Sequence, residues 1–208
     1  MAHIEDGFAR RSFTCSDVKK NIFLIGDSIR QGYCEVVREE LADSAEVFFV
    51  KDNCRNTQYV ISNLRKWANM FDRPERVDLV QFNCGHWDIA HWCGGEDSLT
   101  SRGEYARNMY VIIDMLTLLF PNAKIVCATT TTMNPDGTQS ENVRSNWEIS
   151  RYNGVIRAVA ADKELPVNDL FALTVGWEAS FYKDYCHFTQ EAYVLLGKEV
   201  ARFLRLYL

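Results

Sequence analysis

Short apolar runs alternate with longer amphipathic segments along nearly the whole chain, and this alternation leaves few architectures open to it. Apolar runs fall at residues 21–25, 46–50, 77–83, 124–128 and 166–170. Between them, apolar residues recur at three and four. Val36, Val37 and Leu41 do so in 31–41, and Val60, Ile61, Leu64 and Trp67 in 57–70. Tyr105, Met109, Ile112, Ile113, Leu116 and Leu119 follow in 101–120, then Ile149, Tyr152, Val155, Ile156 and Val159 in 143–163. That period belongs to helices with one buried face. A last helix is expected over 190–206, with Thr189 as its cap. Alternating strands and helices with short connections make βαβ units, whose crossovers are right-handed. The near-continuous apolar run 77–83 suits a parallel strand covered on both faces. The expected fold is α/β: one three-layer α/β/α domain over 21–208, with a mostly parallel sheet of about five strands. A polar arm over 1–20 precedes it.

In such a sheet the loops after the strands share one edge, and ligands bind there. The first strand ends in Gly26-Asp27-Ser28 and opens into a helix, so a hydroxyl stands at that edge. A serine hydroxyl is a weak nucleophile until a neighbouring base takes its proton. Of the 4 histidines, His3 lies in the arm, and His86 and His91 lie in the long loop 84–100. His187 precedes the last helix and follows Asp184 by three residues, close enough for the acid to hold the imidazole's tautomer and orientation. Ser28, His187 and Asp184 are therefore the candidate nucleophile, base and orienting acid. Asp27 is expected to shape the turn. Arg30 and Arg55 could meet an anionic substrate, but a solvated surface position is the expectation for both.

Gly26-Asp27-Ser28 at one end and Asp184-Tyr185-Cys186-His187 at the other resemble the SGNH (GDSL) hydrolase superfamily. The longer strings from Ile25 to Tyr33 and His187-Phe188-Thr189 extend the match, which covers about 21 to 206. The resemblance implies a flavodoxin-like fold and a serine esterase working through an acyl-enzyme, with no cofactor and no metal. Two motifs depart from the family pattern. The usual Gly-x-Asn-Asp reads Gly85-His86-Trp87-Asp88 here, with Trp87 in place of the oxyanion-binding Asn, and Asn83 is the substitute donor. The loop that normally offers a glycine N–H reads Lys51-Asp52-Asn53-Cys54-Arg55, where Asn53 or the backbone N–H of Cys54 would serve.

The substrate expected is a small-molecule ester with a short acyl group. Trp87, Trp92, Tyr182 and Tyr185 suit stacking on a sugar ring, and relatives of this kind include carbohydrate deacetylases. Lipid acylhydrolases and thioesterases are the alternative within the superfamily. A non-catalytic binding protein with a degraded oxyanion hole is the alternative outside enzymes. A zinc site from Cys54, Cys84, Cys93, Cys186, His86 and His91 lacks ligand pairs at finger spacing. A nucleotide site lacks a phosphate-cradling glycine pattern. A net charge of -5 argues against nucleic acid or an anionic membrane as partner. Residues 1–20 have no apolar core of a signal peptide, and no run approaches the ~20 residues of a membrane span. The 7 cysteines show no repeated spacing and read as reduced thiols of a cytoplasmic protein.

Overall fold

Five parallel strands run through the centre of the computed structural model, which describes residues 12–138 and 141–208. In chain order the elements are β1 (Lys20–Ile25), α1 (Ser28–Glu40), β2 (Ala45–Phe49), α2 (Thr57–Ala68), β3 (Leu79–Phe82), α3 (His86–Ile89) and β4 (His91–Trp92). There follow α4 (Arg102–Leu119), β5 (Lys124–Ala128), β6 (Asn142–Val143), α5 (Asn146–Asp162), β7 (Val167–Asn168), α6 (Leu170–Thr174) and α7 (Gln190–Leu204). The main sheet has the order β2-β1-β3-β5-β7. Its growth reverses direction between β1 and β3, the position at which doubly wound sheets open a ligand crevice.

Both faces of the sheet are covered, and the pleat sorts the side chains between them. Phe23, Ile25, Val80, Phe82, Ile125 and Cys127 join the core under α2, α4 and α5. Ile22, Leu24, Leu79, Val126 and Ala128 face α1 and α7. This two-sided burial explains the unbroken apolar runs. Thr189 caps α7 by accepting the Ala192 N–H. Phe13 packs its ring 5.0 Å from Phe71 and 5.4 Å from Phe48, so the chain from residue 12 onward lies against the β2 side of the sheet. Residues 1–11, His3 among them, lie outside the described residues.

Four details differ from the sequence reading. The helix after Ser28 begins at the serine itself rather than at residue 31. The expected loop 84–100 contains a one-turn helix, α3, and the strand β4. Asn142, read as the end of a loop, and Val143, read as the first residue of a helix, pair antiparallel with β4 as β6. The fifth strand shrinks to two residues, and α6 forms in what reads as loop. Elements of two to five residues carry no period, so only their pairing reveals them.

Candidate active site

Each strand of the central pair delivers one polar group to the same edge. Asp27 caps α1: its Oδ1 accepts the Ile29 N–H at 3.0 Å. Ser28 is then the first helical residue, and its own N–H has no acceptor within the helix or among the described residues. Asp27 is fully buried. Burial raises its pKa, and the Ile29 N–H and the charges of Arg144, Arg30 and His187 only partly counter this.

The three residues singled out around Ser28 meet. His187 Nε2 lies 2.8 Å from Ser28 Oγ, and His187 Nδ1 lies 2.8 Å from Asp184 Oδ2. The second carboxylate oxygen, Oδ1, accepts backbone N–H groups of Cys186 at 2.9 Å and His187 at 2.8 Å. Partial burial alone would raise the pKa of Asp184. These N–H donors and the imidazole outweigh it and hold the carboxyl below its ordinary range. The loop is closed on itself: Lys183 N–H donates to His187 O, and Thr189 N–H to Phe181 O. Cys186 points inward between them, and burial pushes its thiol up to about 12, so it is neutral.

The loop after β2 is organised from below. Arg30 is not a solvated side chain: it is 1% exposed and donates to the carbonyls of Gly26, Val50 and Asp52. A buried guanidinium needs such acceptors, and three loop carbonyls supply them. The Cys54 N–H donates to Gly26 O at 3.1 Å. It is therefore occupied, and the expectation that it serves an oxyanion is corrected. Asn53 Oδ1 accepts the Arg55 N–H at 2.9 Å, which leaves the amide Nδ2 without an acceptor among the described residues.

The loop after β3 approaches the same turn. Asn83 N–H donates to Ile25 O, and its Nδ2 gives one hydrogen to Ala128 O at 3.1 Å. A Cβ placed on Gly26 would come 3.7 Å from the Asn83 Cβ, so Asn83 flanks the serine turn directly. Gly85 starts α3 in close contact with Thr130. Trp87 is half-buried, its ring 5.1 Å from that of Trp92. The Arg55 guanidinium stands 5.9 Å over Trp87 and 4.9 Å over Tyr59.

Asp88 is buried and belongs to the framework. Its oxygens accept the Thr57 N–H at 3.1 Å and the Thr57 hydroxyl at 2.6 Å, tying α3 to the first residue of α2. Burial raises its pKa to about 6 despite those bonds. A raised carboxyl pKa favours the fold below the unfolded value, and that advantage is lost as pH rises through the folded one. Between pH 4 and pH 7 the wild type should therefore lose on the order of 2 kcal/mol relative to Asp88→Asn, measured as urea-unfolding free energies at the two pH values.

The other two described histidines are occupied elsewhere. His86 is buried, with Nε2 3.1 Å from Thr131 Oγ1, and burial holds its pKa well below the ordinary value. His91 pairs with Glu148 at 2.7 Å. The six side chains of the zinc reading do not converge. Among the described residues the one cluster with metal-ligand spacing is Asp184, Cys186 and His187, two of which already contact each other beside Ser28. Among the described residues no helix is long and apolar enough to cross a membrane. Sequence reasoning missed Arg30, Thr57 and Thr130 as builders of this edge. Only for Arg30 is there a local signal, its place one turn after Gly26.

Comparison with known proteins bears on the fold and the family. The chain resembles an acetyl xylan esterase, AlAXEase, at 15% identity and a TM-score of 0.72, over 88% of this chain and 99% of that one. A lipase/acylhydrolase from Enterococcus faecalis matches at 23% identity and 0.69, over 89% and 95%. Est24, a carbohydrate acetylesterase from Sinorhizobium meliloti, matches at 14% and 0.65, over 91% and 100%. At these identities the likeness is one of fold. No curated protein matches the chain. The model of the GDSL-like lipase/acylhydrolase family matches residues 24–195, from the strand before Ser28 to beyond His187, and the chain belongs to that family of serine ester hydrolases.

Proposed function

We propose that the protein removes short acyl groups, O-acetyl groups on a carbohydrate foremost, through a Ser28–His187–Asp184 triad and an acyl-enzyme. The observation that carries this reading is the unbroken line of contacts from Ser28 Oγ through both imidazole nitrogens to Asp184, each 2.8 Å long. His187 takes the Ser28 proton as Oγ attacks the ester carbonyl, and the Asp184 carboxylate stabilises the imidazolium. The Ser28 N–H, the Asn53 amide and the remaining Asn83 amide hydrogen hold the oxyanion. His187 then gives its proton to the departing alcohol. A water molecule, deprotonated by His187, attacks the acyl-enzyme and releases the acid and Ser28. Trp87 no longer supplies the family's carboxamide. With Trp92 it offers a face on which a sugar ring stacks. Two of the structural neighbours act on acetylated carbohydrates by name, which supports the choice of acyl group and alcohol.

Two measurements test this. A fluorophosphonate should add one phosphonyl group, found by mass spectrometry on the peptide containing Ser28, and label no other residue at comparable rate. Across aryl esters from acetate to octanoate, kcat/KM should fall with chain length, and acetylated xylo-oligosaccharides should release acetate. A preference for octanoate over acetate would replace this reading with a lipid acylhydrolase.

A further inference from the structure

Arg55 is a charged residue of this edge that the proposed chemistry leaves unused. Three observations set it apart. Its backbone lies in the left-handed region at φ 50, which a side chain with a Cβ adopts at a cost of about 1 kcal/mol or more. The side chain is exposed, yet it lies against two rings, with the guanidinium 4.9 Å over Tyr59 and 5.9 Å over Trp87. No hydrogen bond or ion pair joins that guanidinium to any described residue. Arg30, 25 positions earlier, spends its donors on carbonyls, and so shows what a structural arginine does in this fold. Arg55 keeps its planar fork of N–H groups open, with the guanidinium carbon in cation–π range of two aromatic rings. That is the form in which arginine reads carboxylates and phosphates.

Its position ties it to the reaction. Cys54, the preceding residue, donates its N–H to Gly26 O, two residues from Ser28. Trp87, under the guanidinium, stands in α3, which follows β3, two residues beyond Gly85. Arg55 thus bridges the two loops that flank the nucleophile.

We infer that Arg55 is a specificity-determining residue that binds an anionic group on the alcohol part of the substrate. This deepens the proposed function and rests on it: when the acyl group is short, the alcohol is the part of the ester with the length to reach Arg55. A carboxylate, as on an acetylated uronic acid, and a phosphate ester share the chemistry. The fork accepts either.

Matched esters test the inference. 4-Acetoxybenzoate and its methyl ester differ in one negative charge, and 4-acetoxyphenyl phosphate supplies the phosphate. The ratio of kcat/KM, anionic over neutral, is compared between the wild type and Arg55→Gln, so that the intrinsic reactivity of each ester cancels. The ratio should fall about tenfold in the variant, through KM, as expected for loss of a charge-assisted hydrogen bond. Added salt should lower the wild-type ratio and leave that of the variant nearly unchanged. Arg55→Gly, which removes the backbone strain, should lose the ratio and keep its melting temperature, which separates recognition from loop collapse. The larger ratio of the two anions identifies the group. An equal ratio in wild type and Arg55→Gln overturns the inference and leaves the esterase reading standing. Failure of the wild type to hydrolyse even the neutral ester, with no fluorophosphonate adduct on Ser28, overturns both.

Discussion

Ser28→Ala should lower kcat for a neutral aryl acetate by about 10^4- to 10^6-fold and leave the fold unchanged. The size follows from the way a nucleophile and its base act as one unit: removal of either abolishes the same covalent step. The double variant Ser28→Ala/His187→Ala should accordingly be no slower than either single one, within a fewfold, because each has already lost the acyl-enzyme. Residual turnover above that in buffer would come from the oxyanion donors acting on a water-attacked ester. Stability should not move, because the cap of α1 comes from Asp27 and not from Ser28, whose hydroxyl bonds, among the described residues, only to His187. Unfolding in urea checks the fold, and steady-state kinetics check the rate. A Ser28→Ala variant within tenfold of wild type would remove the triad from the mechanism.

The geometry behind the proposed triad was legible in the sequence to the extent that its parts are local. Asp184 and His187 sit three residues apart in one tight loop, and backbone N–H groups of the same loop aim the carboxylate. Ser28 stands where an apolar run meets a helix, and strand and helix both announce themselves by period. The long-range meeting of the two segments, 159 positions apart, follows once the sheet is parallel and doubly wound. What was not legible depends on groups with no neighbour in sequence. Arg30 looks like any helical arginine until the loop after β2 folds over it. The Cys54 N–H looks available until Gly26 O accepts it. The ribbon of β4 and β6 joins residues 91–92 to 142–143 through two residues a side, too few for alternation to register. The Gly-x-Trp-Asp string posed the question of the missing carboxamide. The positions of the two proposed donors, Asn83 against the serine turn and Asn53 bonded to the Arg55 N–H, needed coordinates.

Gly85→Ala should cost about 3 kcal/mol of stability and lower turnover by about a hundredfold. The cause is steric and not conformational, since Gly85 has φ 165, extended backbone that any residue adopts. A Cβ at this position would meet Thr130 Oγ1 at 1.8 Å and Thr130 Cβ at 3.0 Å. Thr130 cannot step aside freely. It is 1% exposed, its hydroxyl donates to Cys84 O, and its N–H is held by Asn153. Overpacking of this kind costs about 1–3 kcal/mol, and loss of the Thr130 hydroxyl bond adds about 1 kcal/mol. Relief must come from moving α3 away from β5, which carries Asn83 and Trp87 with it. Displacing one oxyanion donor accounts for the loss of rate. Thr130→Ala removes the nearest atom and should recover part of both losses in the Gly85→Ala background, though it destabilises the wild type. A coupling of that sign, read from the four variants of the cycle in urea unfolding and in kcat, ties the packing under the third loop to catalysis. Additive losses, or full activity in Gly85→Ala, would instead mean that the loop bearing Asn83 and Trp87 is positioned independently of its contact with Thr130.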